Sequence, residues 1–148
     1  MQKKEVSGEA IAKSMLEMIA LKVPIICIVI GEGSSGGALA IGVGDRVIML
    51  ENAIYSILSP EGFASILYKD ASKCKEAAEN MKITAEDLYA LGIIDGIIEE
   101  PEGGAQKDVI EVSQSLKRYL LQEIRALKSL STEVLLESRY QKFRKMGN

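Results

Sequence analysis

The segment "GEGSSGGAL", residues 31–39, combines residue types and spacing that suggest chemistry. Gly31, Gly33 and Gly36 follow an apolar run with the spacing G-x-G-x-x-G, and Glu51 lies 20 residues after Gly31. This pattern is typical of a dinucleotide site, in which backbone amides bind a pyrophosphate and an acidic side chain binds a ribose. The chemistry of the segment therefore depends on what the glycines approach.

The chain after these glycines is too short for a dinucleotide site. The helix that begins near Gly36 must end at Gly42 and Gly44, whereas a nucleotide-binding helix crosses the sheet within a unit of about 30 residues. A P-loop does not fit either, because Gly36 is followed by Gly37 and not by lysine. The match to the dinucleotide pattern is therefore interpreted as coincidental.

Exposed backbone amides provide another reason for the glycines. Gly36 and Gly37 lie where a predicted strand has ended and a helix begins, so their amides have no acceptor within the helix. A substrate oxygen can approach them closely because they lack side chains, and the helix dipole favours negative charge there. The pair thus predicts an oxyanion hole, in which one donor typically contributes about 3–4 kcal/mol to a transition state. Glycines needed only for close packing of strand and helix remain the alternative.

The composition limits the chemistry that this chain can perform. Its 148 residues, 47% of them hydrophobic, suit one domain with one core. The absence of histidine excludes Ser-His-Asp and Cys-His catalysis and histidine-ligated metal sites within the chain. Cys27 and Cys74 have neither metal-site spacing nor disulfide-scaffold density, so a reducing compartment is expected.

Charge and hydropathy predict a cytoplasmic protein that binds neither nucleic acid nor membrane. Residues 1–9 do not resemble a signal peptide, and no uncharged run reaches the ~20 residues that cross a bilayer. Residues 1–106 carry 9 basic and 16 acidic groups, whereas residues 107–148 carry 9 basic and 5 acidic groups. Without a dense basic patch and stacking aromatics, the basic end predicts a solvated or subunit-facing helical surface. Its basic residues include Arg139, Lys142, Arg144 and Lys145.

Local patterns predict alternating helices and strands. The first helix is expected to start at a Ser7 cap and to end before Pro24, and Ser59-Pro60-Glu61 is a typical helix start. This alternation predicts an α/β domain with mostly parallel strands, although the order is not simply doubly wound and no internal repeat is visible. The other predicted elements are strands within 25–30, 46–50, 54–58 and 93–100 and helices near 36–41, 60–81, 84–91, 108–128 and 132–146.

Three motifs make the chain similar to a known family. The segments "GEGSSGGAL", "YSILSPEG" and "PEGGA" occur in the order and spacing of the carboxyltransferase alpha subunit of multisubunit bacterial and plastid acetyl-CoA carboxylase. The resemblance runs from about Glu9 to the "SRYQKFRKMG" end. It implies an α/β fold, a partial crotonase-like (Clp-like) spiral of ββα units with C-terminal helices. Residues 1–148 would form a single domain, the C-terminal portion of the carboxyltransferase. Its spiral core would span residues 1–106 and its C-terminal helical extension residues 107–148.

The resemblance also implies an activity and partners. In this family a carboxyl group passes from carboxybiotin, borne by a separate biotin carboxyl carrier protein, to acetyl-CoA, giving malonyl-CoA for fatty acid biosynthesis. The ATP-dependent complex would contain two alpha and two beta subunits. The beta subunit bears a zinc ribbon and most of the CoA contacts, so no metal is expected in this chain. The chain alone is expected to be inactive.

The same resemblance assigns the site residues. Gly36 and Gly37 would hold the biotin oxygen with their backbone amides, in keeping with the oxyanion hole inferred from their position. Gly31 and Gly33 would shape the preceding loop, and Ser35 would either orient the hole or cap the helix. Further candidate substrate-binding residues are Ser59, Glu61 and Gly62, which helix initiation also explains. Gly103 and Gly104 would form a loop near the partner subunit.

Two departures from the family pattern leave alternatives open. Ser34 replaces a usual glycine, a small change that should leave the oxyanion hole intact. The larger departure is length: family members are about twice as long, and this chain lacks the segment that corresponds to their N-terminal half. One alternative is therefore a truncated, non-catalytic chain that still binds its partners. Another is a serine peptidase of the Clp or signal-peptide-peptidase kind, in which Ser35 is the nucleophile and a lysine is the base.

Overall fold

A computed structural model of the chain describes residues 2–146, including the side chains of residues 8–40 and 42–146. Short parallel strands alternate with helices along most of this length. The strands are β1 (Ile26–Val29), β2 (Glu32–Ser34), β3 (Arg46–Leu50), β4 (Ile54–Ser56) and β5 (Gly96–Ile98). The helices are α1 (Gln2–Ile19), α2 (Ser35–Ile41), α3 (Pro60–Leu67), α4 (Cys74–Met81), α5 (Ala85–Ala90), α6 (Val109–Lys128) and α7 (Thr132–Lys145).

The strands form two parallel sheets that explain the irregular order. One sheet has the order β1-β3-β5, and the other pairs β2 with β4. Ile26 pairs with Arg46 and Glu32 with Ile54, so the second strand-strand-helix unit follows the first by 20 to 22 residues. The repeat lies in the path of the backbone and not in side-chain identity, which is why the sequence shows no repeat.

Burial differs between the strands of the larger sheet. Residues 47–50 of β3 are at most 2% exposed, as expected for a central parallel strand covered on both faces. A continuous apolar run such as that of β1 is typical of the same environment, but β1 lies at the edge of the sheet and Cys27 is its one fully buried residue. The core around β3 extends to Leu88 of α5 and Val112 of α6.

Most predicted helix starts are confirmed, whereas the first is wrong. Ser59 Oγ accepts a hydrogen bond from the Gly62 amide at 3.2 Å, and Thr84 Oγ1 accepts one from the Asp87 amide at 3.3 Å. The helix predicted to start at a Ser7 cap begins at Gln2, so Ser7 lies inside α1. The helical stretch predicted to continue from α3 into α4 is interrupted near Lys69, which has a φ of 55°.

Arg139 of α7 is buried at the amino ends of the strands and is 1% exposed. Its Nε and Nη2 donate to the two carboxylate oxygens of Asp45, both at 2.8 Å. Its guanidinium also donates to the carbonyl oxygens of Met18, Ile19, Leu21 and Val23. A side chain from the far end of the chain thus binds backbone carbonyls in the last turn of α1 and in the segment that follows it.

Two further ion pairs hold the C-terminal helices at this edge. Lys142 of α7 pairs with Asp95, which directly precedes β5, and Arg46 of β3 pairs with Glu123 of α6 at 2.7 Å. The prediction that Arg139 and Lys142 belong to a solvated or subunit-facing surface is therefore wrong. Basic residues three apart share a helix face, and here that face binds carboxylates of the same chain.

None of the helices within residues 2–146 is long and apolar enough to cross a membrane.

Candidate functional site

The predicted glycines lie beyond the carboxyl end of β1. The chain leaves β1 at Val29, passes through Gly31 into β2, and then enters α2. The Ile54 amide donates to the Gly31 carbonyl at 3.0 Å, and Gly33 pairs with Tyr55 across the two-stranded sheet. The loop is thus fixed by β4 at the edge where open α/β sheets bind ligands.

The start of α2 lacks a capping side chain. Ser34 occupies the N-cap in an extended conformation but makes no side-chain cap bond. Ser35 follows with a φ of 67°, a left-handed backbone that is uncommon for a residue other than glycine. Because the N-cap is Ser34, the reading of Ser35 as the cap is wrong. By contrast, α3, α5, α6 and α7 are capped by Ser59, Thr84, Asp108 and Ser131.

Close packing explains some glycines of this region. A Cβ at Gly33 would lie 3.1 Å from both the Tyr55 ring and the Val29 side chain. A Cβ at Gly42 would collide with the Tyr55 hydroxyl, and one at Gly44 would lie 2.9 Å from the Ile25 carbonyl oxygen. At these three positions other parts of the chain occupy or crowd the space of a side chain, so packing favours glycine.

Packing does not explain the glycine pair at the start of α2. A Cβ at Gly36 would make an ordinary 3.6 Å contact with Ile11, and one at Gly37 would have no described atom within 4 Å. Neither residue has a positive φ. Gly31 resembles Gly37 in having open space around it. The packing-only alternative therefore accounts for Gly33 and Gly42 but leaves Gly36 and Gly37 without a reason inside the described chain.

Tyr55 is a residue of this region to which the sequence assigned no role. Its hydroxyl donates to the Ala38 carbonyl of α2 at 3.1 Å. Burial raises the pKa of the Tyr55 phenol, so the hydroxyl stays protonated at neutral pH and remains a donor. Its contacts with Gly33 and Gly42 depend on the parallel pairing of β2 and β4, and no local pattern reports that pairing.

The predicted residues of the "SPEG" segment begin α3. Ser59 caps the helix, Pro60 is its first residue, and Glu61 lies exposed in the first turn. A Cβ at Gly62 would lie 3.2 Å from the Leu58 side chain. Helix initiation thus accounts for the positions of Ser59 and Gly62, and their described hydrogen bonds are made within this segment.

A carboxylate clamp organises the neighbouring loops at the carboxyl edge. Glu100 accepts hydrogen bonds from the Asn52 backbone and side-chain amides at 2.7 and 2.8 Å and from the Ala105 amide at 2.8 Å. Burial alone would raise the pKa of Glu100, but these hydrogen bonds hold it below its ordinary value of 4.5. Gly103 and Gly104 have φ angles of 89° and 97°, which explains the glycine pair of the "PEGGA" segment. Among the side chains that the structure describes, those of residues 8–40 and 42–146, no three acidic, cysteine or histidine side chains are grouped as metal ligands.

Comparison with known proteins identifies the family. Residues 2–147 match the family described as acetyl co-enzyme A carboxylase carboxyltransferase-like. The chain belongs to this family. Proteins named acetyl-coenzyme A carboxylase carboxyl transferase subunit alpha from Clostridium acetobutylicum and Halalkalibacterium halodurans are 59% and 58% identical to it over 140 residues. The matches cover 95% of this chain but 51% and 43% of those proteins, so the chain spans about half the length of these curated relatives.

Solved structures show the fold of this carboxyltransferase-family chain. A chain of a Pseudomonas malonate decarboxylase hetero-tetramer in complex with coenzyme A aligns with a TM-score of 0.64 and 18% identity, over 82% of this chain and 51% of that chain. A transcarboxylase 12S chain aligns with a TM-score of 0.52 and 21% identity, over 74% of this chain and 22% of that chain. The likeness confirms the expected fold, a partial crotonase-like spiral followed by C-terminal helices.

Proposed function

We propose that this chain contributes the carboxybiotin site of a carboxyltransferase that converts acetyl-CoA to malonyl-CoA, the first committed step of fatty acid synthesis. The start of α2 carries the proposal. There Gly36 and Gly37 lie in the first turn of a helix without a capping side chain, and packing gives no reason for their lack of side chains. Membership of the carboxyltransferase-like family supports the choice of reaction.

The glycine pair fits an anionic oxygen of the cofactor. The space that a Cβ at Gly37 would enter is open, so a ligand oxygen can approach the backbone there. Carboxybiotin, when bound, supplies the carboxyl group for transfer. The Gly36 and Gly37 amides would donate hydrogen bonds to an oxygen on which negative charge develops, at the positive end of α2.

Other predicted residues have supporting roles in this proposal. Gly31 and Gly33 carry the chain from β1 to α2, and the left-handed backbone of Ser35 turns it into the helix. The remaining candidates, Ser59, Glu61 and Gly62, lie at the start of α3, where they are proposed substrate contacts beside their role in helix initiation.

Further polypeptides complete the proposed enzyme. A zinc-bearing beta subunit would stabilise the enolate of acetyl-CoA, and a biotin carboxyl carrier protein would deliver the cofactor within an ATP-dependent, cytoplasmic complex of two alpha and two beta subunits. This chain would act as one domain, with a spiral core at 1–106 and an extension at 107–148. Because it spans about half the length of its curated relatives, little or no transfer is expected from the chain alone.

The test is carboxyl transfer to acetyl-CoA by the chain mixed with a beta subunit, comparing wild type with Gly37→Ala and Gly37→Val. An alanine at position 37 has space and should raise helix stability by about 0.5–1 kcal/mol. The same change should reduce kcat about tenfold, and valine about 100-fold, because a side chain obstructs the proposed donors. The matched control is Gly8→Ala in α1, where a Cβ also meets no described atom within 4 Å.

Higher stability together with slower turnover in Gly37→Ala would support the proposed site, provided that Gly8→Ala does not show the same combination. Full activity in both Gly37 variants would refute it. Assembly with the beta subunit but no turnover in wild type would favour the alternative of a non-catalytic, partner-binding chain.

A serine peptidase remains the second candidate because the left-handed backbone of Ser35 resembles that of nucleophilic serines at strand-to-helix turns. The discriminating measurement is labelling of Ser35 by a fluorophosphonate probe, with Ser35→Ala as the control. Labelling of Ser35 would support the peptidase alternative, whereas an unlabelled chain that binds the beta subunit would exclude it.

A further inference from the structure

Tyr55 connects the two-stranded sheet to α2. Its backbone is held on both sides, because β4 pairs with β2 and the Tyr55 amide donates to the Ile83 carbonyl at 3.0 Å. Its hydroxyl donates to the Ala38 carbonyl at 3.1 Å, one turn into the helix. Ala38 oxygen also accepts the Gly42 amide at 2.9 Å, so both of its lone pairs are used.

Two glycines leave the space that the Tyr55 side chain occupies. Gly33 lies opposite Tyr55 in β2, and a Cβ there would lie 3.1 Å from the ring. Gly42 lies at the C-cap of α2, and a Cβ there would collide with the hydroxyl while lying 3.4 Å from the ring carbon Cζ. The ring is therefore enclosed between the strand that leads into α2 and the end of that helix.

The length of α2 makes this contact important. A helix of seven residues is not stable by itself, so its position depends on tertiary contacts. It also begins without a capping side chain. The Tyr55 hydrogen bond attaches the middle of α2 to β4, which is itself held by neighbours on both sides.

We propose that Tyr55 is a positioning residue that sets the placement of α2 on β4 and thereby the direction of the Gly36 and Gly37 amides. The catalytic part of this inference rests on the proposed carboxyltransfer. The placement of α2 does not, because it follows from contacts within this chain. Tyr55 itself does not touch the reacting atoms.

The first experiment is hydrogen exchange of residues 34–42 in the full chain, comparing wild type with Tyr55→Phe, Gly42→Ala and the double variant. Loss of the hydroxyl should speed exchange in α2 about fivefold, the equivalent of one neutral hydrogen bond. Gly42→Ala should have a larger effect because its Cβ meets the hydroxyl. Adding Tyr55→Phe should partly restore protection, since the nearest ring atom then lies at contact distance.

Matched controls separate this role from general loss of side chains. Tyr140→Phe removes a hydroxyl from an exposed tyrosine of α7, and Gly8→Ala adds a methyl group in open space on α1. Both should leave exchange at 34–42 unchanged. Unchanged exchange in Tyr55→Phe, or a double variant no better protected than Gly42→Ala, would overturn the proposal.

Kinetics provide the second readout. In a complex with the beta subunit, Tyr55→Phe should lower kcat about 3- to 10-fold while KM for acetyl-CoA stays within about twofold. A changed KM with unchanged kcat would contradict the proposed role. Absence of transfer by the wild-type complex would instead count against the proposed function, and hydrogen exchange would still decide whether Tyr55 places α2.

Discussion

The amino and carboxyl ends of β1, β3 and β5 are built in opposite ways. At the amino ends, the carboxylates of Asp45 and Asp95 are bound by Arg139 and Lys142 of α7. At the carboxyl end of β1, the chain passes through glycines into a helix without a capping side chain. The contrast indicates that charged side chains at the amino edge pair with one another within the fold, whereas the donors proposed to bind a ligand at the carboxyl edge are backbone amides.

The difference also shows why charged residues were poor guides to function in this chain. Asp45 and Arg139 are 4% and 1% exposed, and each satisfies the other together with nearby backbone groups. A buried ion pair of this kind resembles a catalytic pair in composition, yet it lies at the edge opposite the glycine loop. The candidate site is instead distinguished by a lack of side chains.

The largest expected effect is that of breaking the buried ion pair. Arg139→Met should lower the free energy of unfolding by about 3–5 kcal/mol, because it leaves the Asp45 carboxylate buried without its partner. Urea denaturation measures the loss, with Lys145→Met, an exposed base on the same helix, as the control. A loss below 1 kcal/mol, on the order of an exposed ion pair, would contradict the structural role of the amino edge.

The same substitution at the two edges should have effects of opposite sign. Gly44→Ala should destabilise the chain by about 1–3 kcal/mol, because its Cβ would meet the Ile25 carbonyl and the Cys27 sulfur. Gly37→Ala should stabilise it by about 0.5–1 kcal/mol, because it replaces a helical glycine in open space. Thermal or urea denaturation of both variants tests the comparison, and destabilisation by Gly37→Ala would show that α2 packs differently.

The smallest effect concerns the carboxylate clamp at the carboxyl edge. Glu100→Gln should lower the free energy of unfolding by about 0.5–1 kcal/mol near pH 7, because a Gln amide nitrogen would face backbone donors. The loss is small because the group lies near the surface. Because the pKa of Glu100 in the folded chain is lowered from 4.5, its stabilisation is complete above that value. It is lost as pH falls through the lower folded pKa.

The measurement for this prediction is the difference in unfolding free energy between wild type and Glu100→Gln across that pH range. The difference should shrink on acidification below pH 4.5, the ordinary value for this group. Glu99→Gln, a change at the exposed neighbour, is the control. A difference that grows as the pH falls would contradict the direction of the shift.

Local sequence signals predicted the elements that depend on near neighbours. The strand at 46–50 and the helix starts at Ser59 and near residue 84 were predicted correctly because each depends on residues within one turn or one strand. Ser7 failed as a cap because α1 begins at Gln2, further toward the N-terminus. Ser35 failed as a cap because Ser34 occupies the extended N-cap position and Ser35 has a left-handed backbone instead.

The sequence by itself determined the α/β class, the main helix starts and, through three motifs, the carboxyltransferase family. Only the tertiary structure decided that Arg139 is buried, since it meets Asp45 across 94 residues of chain. It also separated the glycines that accommodate Tyr55 from the pair that faces open space. The physical reason is that parallel pairing and helix docking join distant segments, and the space around a glycine depends on those distant neighbours.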